Sequence, residues 1–318
     1  MQNLAKNKKE RYITMNVIET TNLSKEYFYN NTTVKALNKL SLNIKEGEIV
    51  GLVGPNGAGK STAIKLICGI LNPSNGEVRV LSKDPFKNRK KLCYELGVMF
   101  GQRSSLWYNL PVIESLYLMK DIYNISTEDF NYRLEKYAHS LDVTSLINKP
   151  VRKLSFGQRI KCELLAVILH NPKLIILDEP TIGLDVLSKQ SLRNILYDIS
   201  KENNSTILIT SHDLHDIEKL CSRIVFINKG ELQLNLNKDE LCTILKNTVV
   251  IYIERNSTNE ILTKSSFYRD KSESNFKFVM PYNELPNFLN ESFEKVGENI
   301  NFKKEVPSLE DILYEYYK

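Results

Sequence analysis

Apolar positions along the chain fall into two kinds of pattern. The runs "EIVGLVG" (Glu48 to Gly54), "KLIILDE" (Lys173 to Glu179) and "TILIT" (Thr206 to Thr210) are short, continuous and rich in β-branched residues. Runs of that kind predict strands buried on both faces. Elsewhere the spacing is helical: Ala63, Leu66, Ile67 and Ile70 recur on one face until "LNPSNG" (Leu71 to Gly76) stops them, and Ile160, Leu164, Val167 and Ile168 form a second stripe. A third helical stretch lies near Leu187 to Lys201. Strands alternating with helices predict a mostly parallel sheet with helices on its faces. The region from about Gly101 to Asn171 reads as helical, without strand signals, and so as a helical insertion into an α/β core.

Beyond about Lys238 the composition becomes more polar and aromatic. The runs "TVVIYIE" (Thr248 to Glu254) and "NFKFVMPY" (Asn275 to Tyr282), a helix around Leu285 to Lys295 and the stretch "PSLEDILYEYYK" predict a small mixed α/β unit. The expected division is a basic tail over 1–15, an α/β domain over 16–238 with its helical part at about 101–171, and an accessory or regulatory unit over 239–318. There is no internal repeat and no low-complexity tract.

Composition narrows the class. With 318 residues, 42% hydrophobic and 25% charged, the chain is long enough for two folded domains. The net charge of +5 is spread out apart from Lys6, Lys8, Lys9 and Arg11, which read as a solvated tail, with contact to anionic lipid or nucleic acid as the other reading. No apolar run approaches the roughly 18 residues that a spanning helix needs, and the first fifteen residues lack the apolar segment of a signal peptide. The chain is expected not to cross a membrane unaided. Its five cysteines are scattered without a C-x-x-C pair, which predicts reduced thiols that all serve as small packing residues.

The chemistry sits where the strands end. "GPNGAGKST" (Gly54, Pro55, Asn56, Gly57, Ala58, Gly59, Lys60, Ser61, Thr62) fits G-x-x-x-x-G-K-[ST] between a buried strand and an amphipathic helix. Gly57 and Gly59 let backbone N–H groups curl around phosphate oxygens while the new helix aims its positive end at them. Lys60 would reach the outer phosphates and the Ser61 hydroxyl would be a Mg²⁺ ligand. "LIILDE" places Asp178 at the carboxyl end of a buried strand, suited to a Mg²⁺ contact, with Glu179 able to polarise a water in line with the last phosphate. "LSFGQ" (Leu154 to Gln158) reads as a helix start, with Ser155 as cap and Gly157 permitting close approach.

Together these motifs resemble the ATP-binding subunits of ABC transporters over roughly Asn16 to Lys238. The resemblance implies a P-loop α/β fold: a mostly parallel sheet flanked by helices, an antiparallel N-terminal β region, a helical insertion and a small C-terminal α/β domain. It implies that Ser155, Gly157 and Gln158 of one subunit close over ATP held by the phosphate loop of its partner. Gln102 matches the family's Q-loop and adds a metal contact, "IGLD" (Ile182 to Asp185) its D-loop, His212 in "LITSHD" its switch histidine, and Tyr27 the aromatic that stacks on adenine. Phe156 departs from the glycine common in the family.

Implied with these are Mg²⁺-dependent ATP hydrolysis by Lys60, Gln102, Glu179 and His212, a homodimer or a pair with a related ATPase, and a multispanning membrane permease. The corresponding location is the cytoplasmic face of a bacterial plasma membrane. The other class with this engine, soluble ABC ATPases acting on nucleic acid or the ribosome, carries a long coiled-coil insertion or two cassettes in one chain, and this sequence has neither. "MFGQRSSLWYNLPV", "SFGQR" and "PSLEDILYEYY" look similar to bacterial exporter ATPases of the daunorubicin-resistance and multidrug type. Trp107, Tyr108 and Leu110 follow Gln102 closely and read either as the patch that receives the permease or, for Trp107, as helical core.

Overall fold

A computed structural model describes residues 15–29, 32–101, 104–211, 213–255, 259–271, 274–296 and 300–314. The chain opens with β1 (Asn16–Tyr29), β2 (Thr32–Lys45), β3 (Ile49–Val53), α1 (Lys60–Ile67), β4 (Asn75–Val80), α2 (Arg89–Leu92) and β5 (Leu96–Phe100). It continues through α3 (Val112–Ile122), α4 (Thr127–Ser140), α5 (Phe156–Ile168), β6 (Leu174–Asp178), α6 (Val186–Glu202), β7 (Thr206–Thr210), α7 (Leu214–Leu220), β8 (Arg223–Asn228) and β9 (Glu231–Asn237). After these come α8 (Lys238–Lys246), β10 (Thr248–Glu254), β11 (Tyr268–Lys271), β12 (Asn275–Pro281), α9 (Leu285–Val296), β13 (Phe302–Glu305) and α10 (Leu309–Leu313).

The central sheet has the order β5-β6-β7-β3-β8-β9, parallel except for β9. The three apolar runs in the sequence are β3, β6 and β7, and they lie side by side in its middle. Burial on both faces explains their composition, since a parallel strand covered by helices or a second sheet has no solvent face to mark with polar residues. One face packs on the helical insertion through Phe130, Leu141 and Leu164; the other packs on α1 and the antiparallel sheet β2-β1-β4 through Ile18, Leu40 and Ile64. The antiparallel N-terminal region and the helical insertion both take the expected places.

Two details differ from the sequence reading. The stripe Ala63, Leu66, Ile67 is buried, but α1 ends at Ile67: the Ile70 N–H bonds back to the Lys65 carbonyl, and the side chain is partly exposed on the turn that follows. Of the cysteines, Cys68, Cys162 and Cys221 are buried, whereas Cys93 and Cys242 are exposed and so are not packing residues. Burial pushes the Cys68 and Cys162 thiols up to about 12, which keeps them neutral. The basic residues Lys6, Lys8, Lys9 and Arg11 lie outside the described residues.

The C-terminal sheet, ordered β11-β12-β10-β13, is antiparallel and has its own core of Val249, Ile251, Ile253, Phe276, Phe278 and Phe288. Of its flanking helices α9 packs on it through Phe288, whereas α8 and α10 reach away from it. Leu241 of α8 and Leu309 and Leu313 of α10 join the same core as Leu220 and Cys221 at the end of α7. A capping box at Ser308 starts α10, Asp311 on it pairs with Lys277 of β12, and Tyr314 Oη donates to the Arg269 carbonyl of β11 at 2.6 Å. This short helix therefore bridges the two units.

Candidate nucleotide site

Ligands of open α/β sheets collect at the carboxyl ends of the strands. Here β3, β7 and β6 are neighbours, with Leu52 opposite Thr210 and Thr210 opposite Asp178, so the segments after them converge. The loop from Gly54 to Gly59 leaves β3 and enters α1. Gly59 adopts φ +106°, and a Cβ there would lie 2.4 Å from the Ala36 carbonyl oxygen, so glycine is required for both reasons. Lys60 is buried and its Nζ donates to the Gly54 carbonyl at 2.6 Å and the Pro55 carbonyl at 3.0 Å. Burial lowers its affinity for the proton below that of an ordinary lysine, while the nearby Glu179 and Asp178 carboxylates act the other way. Ser61 is exposed at the start of α1.

Asp178 ends β6 half-buried, and its Oδ1 accepts from the Thr210 hydroxyl at 2.6 Å. Glu179 follows at φ +57°, a left-handed conformation that costs a side-chain-bearing residue about 1 kcal/mol or more. Its N–H donates to both the carbonyl and the hydroxyl oxygen of Thr210, at 3.1 Å each, which holds the turn in place. Gln102 and His212 lie outside the described residues. On either side of His212 the chain is well fixed: Ser211 Oγ lies 3.3 Å from Thr181 Oγ1, and Asp213 caps α7 and pairs with Lys189 of α6.

The "LSFGQ" segment forms a second group. Ser155 caps α5, accepting from the Gln158 N–H at 3.2 Å, while the Gln158 side chain accepts from the Ser155 N–H at 3.0 Å. Such a reciprocal box meets two of the donors a helix start leaves open. Asp185 caps α6 in the same manner, accepting from the Ser188 N–H at 2.9 Å, which holds its carboxyl below the usual range. Ser155 and Asp185 are both exposed. They share a rim because Gly157 faces Leu184 and the Phe156 ring lies over Gly183, where an added Cβ would come within 2.8 Å of it. The Arg159 guanidinium sits 5.3 Å from the Phe156 ring centroid. Tyr27 is on β1, its ring part-exposed with Lys25 Nζ 5.5 Å from the centroid.

Trp107 is 51% exposed, so in the isolated chain it is not a core residue; Tyr108 and Leu110 beside it are exposed as well. Leu106 alone in that stretch is buried. Sequence reasoning missed Thr210, Thr181, Lys189 and the buried Glu163. Thr210 and Thr181 carry no motif, and only the pairing of strands brings them to the site.

A family model described as "ABC transporter" matches residues 37–182. The ABC transporter ATP-binding protein NatA of Bacillus subtilis (strain 168) is 31% identical over 216 residues, 68% of this chain and 87% of that protein. The bacitracin transport ATP-binding protein BcrA of Bacillus licheniformis is 32% identical over 225 residues, 71% of each. The dimeric post-hydrolysis structure of the ATP-binding cassette MJ0796 bound to ADP and Pi superposes with a TM-score of 0.63 at 26% identity, covering 70% of this chain and 98% of that one.

Proposed function

This chain belongs to the ATP-binding subunits of ABC transporters, ATPases that energise transport by hydrolysing ATP, and on that premise we propose that it drives export through a separate multispanning permease. The observation that carries the nucleotide reading is that the loop to Lys60 and the turn at Asp178 and Glu179 leave the carboxyl ends of β3 and β6, the two strands that flank β7, while Ser155 and Asp185 are exposed. In the family the segment at Ser155 closes over ATP held by the phosphate loop of a second subunit, so a head-to-tail homodimer holding two ATP molecules is the simplest assembly. The dimeric cassette with ADP and Pi supports that assembly.

In this reading the N–H groups from Gly54 to Gly59 and the start of α1 hold the phosphates, and Lys60 stabilises the charge that develops on them. Tyr27 stacks on the adenine. Ser155, Gly157 and Gln158 of the partner donate from across the interface, with Asp185 beside them. Glu179, with His212 and Gln102, positions the attacking water, and the Glu179 turn fixed on Thr210 keeps it from drifting away from the line of attack. The oxygen donors of Ser61, Asp178 and Gln102 suit Mg²⁺, a hard ion that takes few protein ligands beside substrate phosphates. Such an ion would supply neutralisation of phosphate charge.

The exporter reading rests on the likeness of "MFGQRSSLWYNLPV" and its companions to drug-type ATPases, and BcrA, a bacitracin transport protein, supports it. The exposed Trp107, Tyr108 and Leu110 form the proposed permease contact. No helix among the described residues is long and apolar enough to cross a membrane, which fits a peripheral subunit on the cytoplasmic face. The stretch over 239–318, which contains the sheet β10 to β13, is proposed as the accessory, regulatory unit.

Glu179→Gln should lower kcat by at least about 100-fold while ATP still binds. In a sedimentation experiment with Mg²⁺ and ATP, the same variant should accumulate as a dimer, whereas Lys60→Ala should not. Wild-type turnover in Glu179→Gln, or a monomer under those conditions with the permease present, would refute the assignment.

A further inference from the structure

Glu163 lies in the middle of α5 and is 4% exposed, yet it belongs to neither the nucleotide site nor an ion pair among the described residues. A buried carboxylate survives only when its lone pairs are met. Here they are met by one short segment: the hydroxyl of Ser104 donates to Oε1, and the N–H and hydroxyl of Ser105 donate to Oε2 at 2.9 and 2.5 Å. The next residues are fixed to the same body. Trp107 N–H donates to the buried Ser115 hydroxyl at 2.9 Å, and the carbonyls of Tyr108 and Leu110 accept from the N–H groups of Arg152 and Val151 at 2.9 and 3.0 Å. Arg152 and Val151 lie just ahead of Ser155, so the exposed Trp107 turn is bound to the helix that Ser155 begins, both through its lead-in and through Glu163.

We infer that Glu163 is a positioning residue that locks the Trp107 turn to α5, so that a displacement of this helix when Ser155 closes on nucleotide is delivered to Trp107. This inference rests on the composite-site reading above. A fully satisfied charged network is stiff, and loss of its acceptor strips both Ser105 donors of their partner and leaves the Ser104 hydroxyl only the Leu106 carbonyl at 3.1 Å, so the coupling depends on the carboxylate more than on any one serine. A rigid body shared by two surfaces is the physical link that such coupling needs.

Trp107 is the only tryptophan, which makes its fluorescence a direct reporter of the turn. In the Glu179→Gln background, acrylamide quenching and anisotropy of Trp107 should change on adding Mg²⁺ and ATP. Adding Glu163→Ala should reduce that change at least about twofold, whereas Glu163→Gln, which keeps one acceptor oxygen, should retain most of it. ATP affinity and dimer formation, measured on the same samples, should stay within about twofold of the parent. The pair Ser104→Ala with Ser105→Ala removes the hydroxyl donors without altering α5 and should act as Glu163→Ala does. It decides the matter if Glu163→Ala does not fold. A full Trp107 response in the serine pair or in folded Glu163→Ala overturns the inference. Dimers that form with no Trp107 response in the parent overturn it too while leaving the composite site standing, and absence of both dimer and response overturns both.

Discussion

His170 shows how one side chain can set an acid limit on the whole fold. Its ring stacks on Tyr123 with centroids 3.9 Å apart and 13° between planes, and Nε2 lies 3.0 Å from the Leu96 carbonyl oxygen. That contact fixes the Nε2–H tautomer and leaves Nδ1 buried with no partner for a second proton among the described residues. Burial accordingly holds the imidazole down to about 4, against about 6.5 for an unfolded chain. Below pH 6.5 the unfolded chain takes up a proton that the folded one refuses, so stability is complete above that pH and falls until about pH 4. The linkage amounts to about 3 kcal/mol at the lower end. In urea titrations, His170→Phe should lose about 2 kcal/mol less than wild type between pH 7 and pH 4.5; equal losses would show that the ring is not the acid-labile group. Legibility at this scale follows chemistry. Lys60 and Ser155 announce themselves because their neighbours in sequence are also their partners in space. Thr210, which fixes both Asp178 and Glu179, does not, because its partners come from the adjacent strand.

Among the elements, three of the strands buried on both sides were readable. β3, β6 and β7 match their apolar runs to within a residue at either end. β9, with the alternating "ELQLNLN" of a sheet edge, carries no such run and was not anticipated; β5, "LGVMF", is as apolar as β3 but went unread because no glycine-rich or acidic motif follows it. β8 is one residue longer than β3, β6 and β7 and nearly as buried, yet it was missed too. The turn from Trp107 to Leu110 is the opposite case: polar residues around exposed aromatics suggest a loose loop, but its backbone is bonded to residues 151 and 152 and its lead-in to Glu163. Order is thus supplied by backbone and carboxylate, leaving the rings free for a partner. Trp107→Ala should change the unfolding free energy of the isolated chain by no more than about 0.5 kcal/mol, as for other surface sites. The same variant should weaken permease binding by about 2 kcal/mol or more, measurable by co-purification against salt or by calorimetry in detergent. A large drop in melting temperature would contradict the exposure of the ring.

At the level of the molecule, two units with separate sheets share one seam. The separate core of β10 to β13 was visible in the sequence as a change of composition, whereas the seating of α10 was not, since "LEDIL" gives a helix with an apolar face but not the surface that receives it. Leu309 and Leu313 belong with α7, the helix that Asp213 caps beside His212. Leu313→Ala should therefore destabilise the nucleotide-binding unit by about 2–5 kcal/mol, read as a lower melting temperature with and without ATP. A shift confined to the C-terminal sheet would argue against the shared seam. The seam also has a history in time. On the ribosome, every strand of the nucleotide-binding sheet emerges before the residues that cover the end of α7 have been made. The nascent protein must wait, with an apolar seat open to solvent, until some of its latest-made residues arrive to close it. Slow or interrupted translation between β9 and α10 would lengthen that exposure, so the yield of folded protein depends on the pace of synthesis there as well as on the stability of the finished fold.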